Sequence, residues 1–239
     1  MFPHLPFGTR RAGGLRNTSH LISFSWLTRQ CTCAERPAGG YAGRLAIFEF
    51  VSDAVLQVFR ETGAYLKGHF RLTSGLHSNE YLQCAQVLQH PAIAERFGRE
   101  LAAQLPACDV VVSPAIGGLP IGHEVARAKG ARFIFTERDA AGKMILRRGF
   151  SLRTGEAVLV IEDVVTTGGT TREVIDVALA AGARVLAAGS IIDRSGGRVD
   201  LGVSRVALAT LDVVSYPPDF CPMCQEGIPV EKPGSRPAA

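Results

Sequence analysis

Two adjacent carboxylates, Glu162 and Asp163, follow an apolar run and stand just ahead of Thr166, Thr167, Gly168, Gly169 and Thr170. Val158 to Ile161 are apolar and mostly β-branched, the composition of a strand buried on both faces of a parallel sheet. The spacing predicts that this strand ends at the acids and that a helix begins at about Thr171. A strand, a small polar turn and a helix N-terminus make an anion site, because unpaired N–H groups and the positive end of the helix dipole point into the turn. Glycines let a phosphate approach the backbone closely, and threonine hydroxyls add donors. Carboxylates beside such a site repel the ligand unless it offers them hydroxyls or a bound cation. A ribose 5-phosphate meets that condition, with its phosphate in the turn and its 2- and 3-hydroxyls on the acids. The bland reading is a strand-to-helix connection with ordinary capping threonines, and the acidic pair closing the strand argues against it. Neither GxxxxGK[ST] nor GxGxxG occurs in the chain.

Three further segments carry candidate chemistry. Gly117, Gly118 and Gly122, with Pro114 and Pro120, form a turn that could present N–H groups to a second anion, a pyrophosphate. Thr136 to Gly155 is long for a connection and carries Arg138, Lys143, Arg147, Arg148 and Arg153 against Glu137 and Asp139. A basic loop of this kind could close over a polyphosphate, neutralise a leaving group and exclude water. The competing reading is a solvated charged hairpin. Arg194, in the turn Asp193 to Gly197, could hold a substrate carboxylate by a bidentate pair, or be a surface arginine. Cys221 and Cys224 form a CxxC, but two cysteines do not complete a four-ligand zinc site, and a redox pair is expected at a helix N-terminus after a strand. His69, His77, His90 and His123 show no ligand spacing, so no metal is assigned to protein side chains.

The elements that must position these residues follow from periodicity. Residues 1–44 contain Arg10, Arg11, Arg16 and Arg29 and no acid before Glu35. They are expected to be an unstructured extension, with an organellar transit peptide as the alternative, and carry no chemistry. The domain is expected over 45–239. Phe48, Val51, Val55, Val58 and Phe59 predict a helix stopped by Gly63, and Pro91 opens a second helix. His69 to Gly75 and Glu80 to Cys84 read as short strands around a turn. Strands at Asp109 to Ser113, Ala131 to Glu137, Val158 to Asp163 and Val185 to Asp193 alternate with helices. That order predicts an α/β fold with a parallel sheet covered on both faces and ligands at the carboxyl ends of its strands.

The 239 residues, 46% hydrophobic and 20% charged, suffice for one sizeable core. A formal charge of +4 is too mild to argue for nucleic acid, and no apolar run approaches the ~18 residues of a membrane span. Six cysteines without a secretory apolar segment read as reduced thiols in a cytoplasmic protein.

With these segments in view, the chain resembles the orotate phosphoribosyltransferases of the type I phosphoribosyltransferase family, from about Gly68 to Arg236. GHFRLTSGLHS, SPAIGGLPIG, FTERDAAGKMILRRGF, IEDVVTTGGTT, DRSGG and the CPMC…PGSR end carry the resemblance. It implies the type I fold, a central mainly parallel sheet flanked by helices with a small N-terminal hood. It also implies transfer of phosphoribosyl from phosphoribosyl diphosphate to orotate, giving orotidine 5-monophosphate and pyrophosphate, a step of pyrimidine (UMP) synthesis. Magnesium on the diphosphate, a homodimer, and neither nucleic-acid nor membrane partners are implied with it. Glu162 and Asp163 would hold the ribose hydroxyls, and Asp163 would face the sugar's positive charge. Val164, Val165, Thr166, Thr167, Gly168, Gly169 and Thr170 would cradle the 5-phosphate. Thr166 and Arg194 would meet orotate. Lys143 and Arg138 would be catalytic cations at the pyrophosphate, often reaching the neighbouring subunit's site. The enterobacterial pattern has lysines where this chain has Thr73 and Gly117, leaving Arg71, Arg147 or Arg148 as replacements, and Glu-Asp stands for Asp-Asp. A purine or xanthine phosphoribosyltransferase, or a non-catalytic regulator sensing phosphoribosyl diphosphate, are the alternatives.

Overall fold

The computed structural model describes residues 42–72 and 74–233. The expected extension thus lies outside the described residues up to position 41, as do Cys31, Cys33 and Thr73. Positions 42–44 belong to helix α1 (Ala42–Glu61), which begins ahead of the expected domain edge at Leu45. The chain then forms β1 (Tyr65–Arg71), β2 (His77–Leu82), α2 (Cys84–Leu88), α3 (Pro91–Gln104), β3 (Val110–Pro114) and α4 (Gly118–Lys129). After these come β4 (Arg132–Arg138), β5 (Met144–Leu146), β6 (Ala157–Val165), α5 (Gly169–Ala180), β7 (Arg184–Asp193), β8 (Ser204–Thr210) and a short α6 (Pro222–Gln225).

Six strands make the main sheet in the order β5-β4-β3-β6-β7-β8, parallel except for β5 at the edge. The chain winds outward from β3 to β5, then returns to lay β6 beside β3. That reversal is a topological switch point, and the loops leaving β3 and β6 border one crevice. Strand alternation builds a core on each face. Leu159 and Ile161 pack with Phe97 and Leu101 of α3 and Ile121 of α4. Val158 and Val160 pack with Val174, Ile175 and Ala178 of α5. All four β6 side chains are fully buried, each contributing roughly 1.5–3 kcal/mol relative to exposure. The long apolar run at this position is therefore a strand with no solvent face. Helix α4 ends where Gly130 adopts φ +63° and donates its N–H back to Ala126 and Arg127, a left-handed cap that glycine tolerates best. Among the described residues, no helix is long and apolar enough to cross a membrane.

Four elements differ from expectation. β6 continues past the acids to Val165, because β7 runs alongside as far as the Val165–Asp193 pair. α5 starts at Gly169, earlier than Thr171, since Gly168 turns the chain with φ +75°. The basic stretch is largely an ordered hairpin: β5 pairs with β4 through Thr136–Leu146, Glu137–Ile145 and Arg138–Met144. Its turn is held by Asp139, whose Oδ1 accepts from the N–H groups of Ala141 and Lys143, both at 2.9 Å. In the hood, β2 begins at His77 and Cys84 opens a helix, so the strand expected at Glu80 to Cys84 lies three residues earlier at its start. β8 and the tail pairing had no clear periodic signal. The tail clasps the hood from two sides: His77 and Tyr216 exchange N–H to carbonyl bonds at 2.8 Å, and Arg71 and Glu231 bond at 2.7 Å.

Candidate functional site

The crevice between β3 and β6 is built on close backbone approach. A Cβ on Gly117 would lie 2.8 Å from Asp163 Oδ2, and one on Gly118 would lie 3.1 Å from the Ile161 carbonyl oxygen. The glycines after β3 therefore bring that loop directly against the carboxylate on β6. Asp163 shares the strand parity of Leu159 and Ile161, which explains why it faces the start of α4.

The acidic pair is poorly solvated. Burial holds the Glu162 carboxyl well above the usual carboxylate range, and the neighbouring Asp163 charge adds to the shift. Burial also raises Asp163, against the pull of Glu162 and the Val164 N–H at 2.9 Å from its Oδ1. Two like charges in low dielectric resist double ionisation, and a cation or partly cationic group between them restores it. Tyr81 sits nearby, its phenol pushed up by burial and by Asp163.

Val164 and Val165 close β6, and Thr166, Thr167 and Gly168 turn into α5. A Cβ on Gly168 would lie 2.6 Å from Val199 Cγ1 and 2.8 Å from Leu201 Cδ2, so the turn needs glycine twice over, for space and for its positive φ. No side chain caps the helix and its first turn holds no acid. The N–H groups of Gly169, Thr170 and Thr171 are thus left for an anion, with exposed Thr166 and Thr167 beside them. Arg172 fixes the turn by donating to the Thr167 carbonyl at 3.1 Å and twice to the Asp200 carbonyl, at 3.0 and 2.5 Å. Sequence reasoning missed Arg172, because a single arginine in a helix's first turn has no periodic signature.

Arg194 is not a surface arginine; only 8% of it is exposed. Its backbone N–H bonds the Val165 carbonyl at 2.8 Å, tying it to the end of β6. One terminal nitrogen donates to the Glu80 carbonyl of the hood at 3.2 Å, while Nε is buried without a partner. Burial lowers its proton affinity, offset by Tyr81 and Glu80. A buried guanidinium with a spare donor, between the hood and the phosphate turn, is a ready receptor for a carboxylate.

The basic residues divide differently. Arg138 pairs with Glu173 of α5 at 2.8 Å, and Lys143, exposed at the hairpin turn, lines a cleft of about 520 Å³ with Glu173 and Asp176. Neither makes a hydrogen bond or ion pair with Glu162 or Asp163 in the same chain. Arg148 forms a two-pronged pair with Glu137 at 2.7 and 2.9 Å, and so is committed to the hairpin. Arg153 pairs with Glu156 at 3.1 Å, which Arg132 also holds. Arg71 and Arg147 remain exposed.

The expectation that the histidines do not cluster is corrected by the structure. His69, His77, Cys221 and Cys224 bring one ligand atom each to within 4.8 Å of one another. Neither histidine is at a motif spacing from the cysteines. The hairpin and the returning tail bring them together, a juxtaposition that linear spacing does not encode.

Residues 83–207 match the model of the phosphoribosyl transferase domain. The chain is 58% identical over 188 residues to the orotate phosphoribosyltransferase of Heliobacterium modesticaldum, covering 77% of this chain and 98% of that protein. It is 55% identical to the Pelotomaculum thermopropionicum orotate phosphoribosyltransferase, covering 77% and 97%. The crystal structure of the Aeropyrum pernix orotate phosphoribosyltransferase superposes with a TM-score of 0.54 at 27% identity, over 66% of this chain and 93% of that one. A switch-point crevice, a carboxylate pair and a glycine-bearing phosphate turn thus coincide with similarity running nearly the full length of these relatives. The chain belongs to the phosphoribosyltransferase family, in its orotate phosphoribosyltransferase group.

Proposed function

We propose that this chain joins orotate to C1 of phosphoribosyl diphosphate, and that the site's residues divide that work by charge. In the transfer, the C1–O bond to pyrophosphate breaks ahead of C1–N bond formation. The bond's electron pair leaves with pyrophosphate, the ribose becomes oxocarbenium-like, and the proton on the attacking orotate nitrogen passes to the departing pyrophosphate as the C1–N bond forms. Glu162 and Asp163 accept from the 2- and 3-hydroxyls. Their resistance to double ionisation falls as the sugar gains positive charge, so they bind the transition state better than the ground state. The 5-phosphate sits on the Thr166–Thr170 turn at the N-terminus of α5. Arg194 pairs with the orotate carboxylate and Thr166 lies beside the base.

The observation that carries this reading is the buried, incompletely paired Arg194 next to the phosphate turn. A neutral purine gives that guanidinium no charge partner, so the site favours an acidic pyrimidine. The test is loss of orotate absorbance on adding phosphoribosyl diphosphate and magnesium, with adenine, guanine and xanthine as competing acceptors. Turnover of a purine but not of orotate would overturn the assignment.

Magnesium would travel on the diphosphate, screening its charge. Glu162 and Asp163 offer it and the ribose the hard oxygen ligands such an ion prefers. Lys143 and Arg138 reach the leaving pyrophosphate of a second subunit in a homodimer, a reading supported by their placement against Glu173 and Asp176 of α5 and not against Glu162 or Asp163 of their own chain. Cys84, Cys108, Cys221 and Cys224 stand outside any disulfide, which fits a reducing cytoplasm. Catalysis resides in the unit that begins with α1, so a chain started at Ala42 should retain full activity. Loss of activity in that truncated protein would count against the boundary.

A further inference from the structure

His69, His77, Cys221 and Cys224 lie apart from the acid pair and the phosphate turn, and the transfer reaction makes no use of them. Register explains the histidines. Arg71 pairs with His77 across β1 and β2, and the register shifts between Lys67 and Phe70, a local irregularity that leaves His69 buried against its diagonal neighbour His77. The tail then returns over this face and presents both cysteines from the turn at α6. His69 Nε2 stands 2.8 Å from His77 Nδ1, 3.5 Å from Cys221 Sγ and 3.6 Å from Cys224 Sγ, and His77 Nδ1 stands 3.3 Å from Cys224 Sγ.

We propose that these four side chains form a structural zinc site that fastens the C-terminal segment to the β1–β2 hood. A tetrahedral ion with Zn–N of about 2.0–2.1 Å and Zn–S of about 2.3 Å sets N···S edges of about 3.5 Å and an N···N edge of about 3.3 Å. Three of the four N···S distances already match those edges, the remaining pairs lie within 4.8 Å, and the two histidines must separate by about half an ångström. His69 Nδ1 lies 2.7 Å from the Ile228 carbonyl, so it carries the proton and leaves the Nε2 lone pair facing the cluster. Two thiolates neutralise the dication, which permits burial: His69, His77 and Cys221 are all buried, and Cys224 closes the site from the surface. Two sulfur and two imidazole ligands at tetrahedral edges select zinc over magnesium, which takes oxygen, and over a Rieske-type iron–sulfur centre, which divides two cysteines and two histidines between separate irons instead of gathering all four ligand atoms within 4.8 Å. All four protein ligands close the shell, so the site is structural and leaves no position for a reacting water.

The clasp has a consequence for the reaction. The hood it secures supplies the Glu80 carbonyl that holds Arg194. Releasing the metal should therefore loosen orotate recognition while leaving the phosphate turn between β6 and α5 intact.

The test uses the full, untagged chain from zinc-supplemented cells, purified without chelator. Elemental analysis should find one zinc per chain. Replacement by cobalt should produce the strong visible bands of a tetrahedral site together with thiolate-to-cobalt charge transfer in the near ultraviolet. Cys221→Ser and Cys224→Ser should each lose the metal and the charge-transfer intensity. Should those variants fail to fold, alkylation of the native protein still decides the matter, because both thiols should be protected until a strong chelator is added. A metal content below a tenth of an equivalent, iron in place of zinc, a Cys221–Cys224 disulfide, or alkylation indifferent to chelator would each overturn the assignment.

Discussion

Gly117 and Asp163 are separated by less than a side chain: a Cβ added to Gly117 would stand 2.8 Å from Asp163 Oδ2 and 2.9 Å from Oδ1. The loop after β3 and the carboxylate on β6 are therefore one assembly, and the residue at position 117 is set by the acid it faces. Lysine, which the enterobacterial pattern places here, does not fit this backbone without turning Asp163.

Gly117→Ala should lower kcat/KM for phosphoribosyl diphosphate by about tenfold or more, because rotating the carboxylate off its rotamer costs roughly 0.5–1.5 kcal/mol before any loss of ribose contact. Melting temperature should change little, since the collision is with a side chain beside the crevice. Gly117→Lys should be worse than alanine. Steady-state kinetics on both variants check this, and a lysine variant as active as the parent would show that the loop moves freely.

Glu162→Gln should exchange activity for stability. The folded carboxyl is held well above its usual range, chiefly by burial. Between the unfolded value and that raised folded value, the unfolded chain ionises while the folded chain keeps its proton, so stability falls as pH rises through this window. Below the window the penalty is absent, and above it the penalty is full and constant. The glutamine variant should therefore melt higher than the parent at neutral pH, match it more closely at acidic pH, and turn over far more slowly. Equal melting curves for the two proteins at every pH would refute the buried-charge account.

Arg194→Lys should fail despite conserving charge. An ammonium cannot both hold the Glu80 carbonyl and present a planar fork to a carboxylate. Hydrogen bonds to charged groups are worth about 1.5–3 kcal/mol, so kcat/KM for orotate should fall by roughly 10- to 150-fold. The KM for phosphoribosyl diphosphate should stay within about twofold, because the phosphate turn does not depend on the guanidinium. Parallel titrations of both substrates separate this from a general loss of fold.

Local signals made the catalytic half of the site legible. The run Val158–Ile161, the two acids and the glycine-bearing turn are contiguous, so one strand-to-helix connection carries both their types and their spacing. The parallel sheet followed from the alternation of elements. What escaped prediction depended on contacts distant in sequence. Arg194 is a carboxylate candidate from its turn alone, but its burial depends on Glu80 and Val165, which enclose it. The His69–Cys224 pair is 155 residues apart, and only the tail's return over the hood joins them. The order of the basic stretch was hidden for another reason. Met144, Ile145 and Leu146 make too short an apolar run to announce a strand, and pairing with β4 supplies the order that local propensity lacks.

That hairpin carries the last prediction. Lys143 and Arg138 face α5, where Arg138 pairs with Glu173, and neither bonds Glu162 or Asp163 of its own chain, yet a departing pyrophosphate needs cations. If the hairpin serves a partner's site, Lys143→Ala should lower kcat far more than it weakens phosphoribosyl diphosphate binding, since a loop that closes late acts mainly on the transition state. Mixing is the sharper measurement. Lys143→Ala and Asp163→Asn homodimers should each be nearly inactive. After random reassortment, about half the dimers are mixed, and each such dimer holds one site with both the native lysine and the native aspartate. Activity should then rise to roughly a quarter of the parent's, from one intact site in half of the dimers. A mixture no more active than its components would place Lys143 in its own subunit's site, and the cleft beside Glu173 would then be the route by which it arrives.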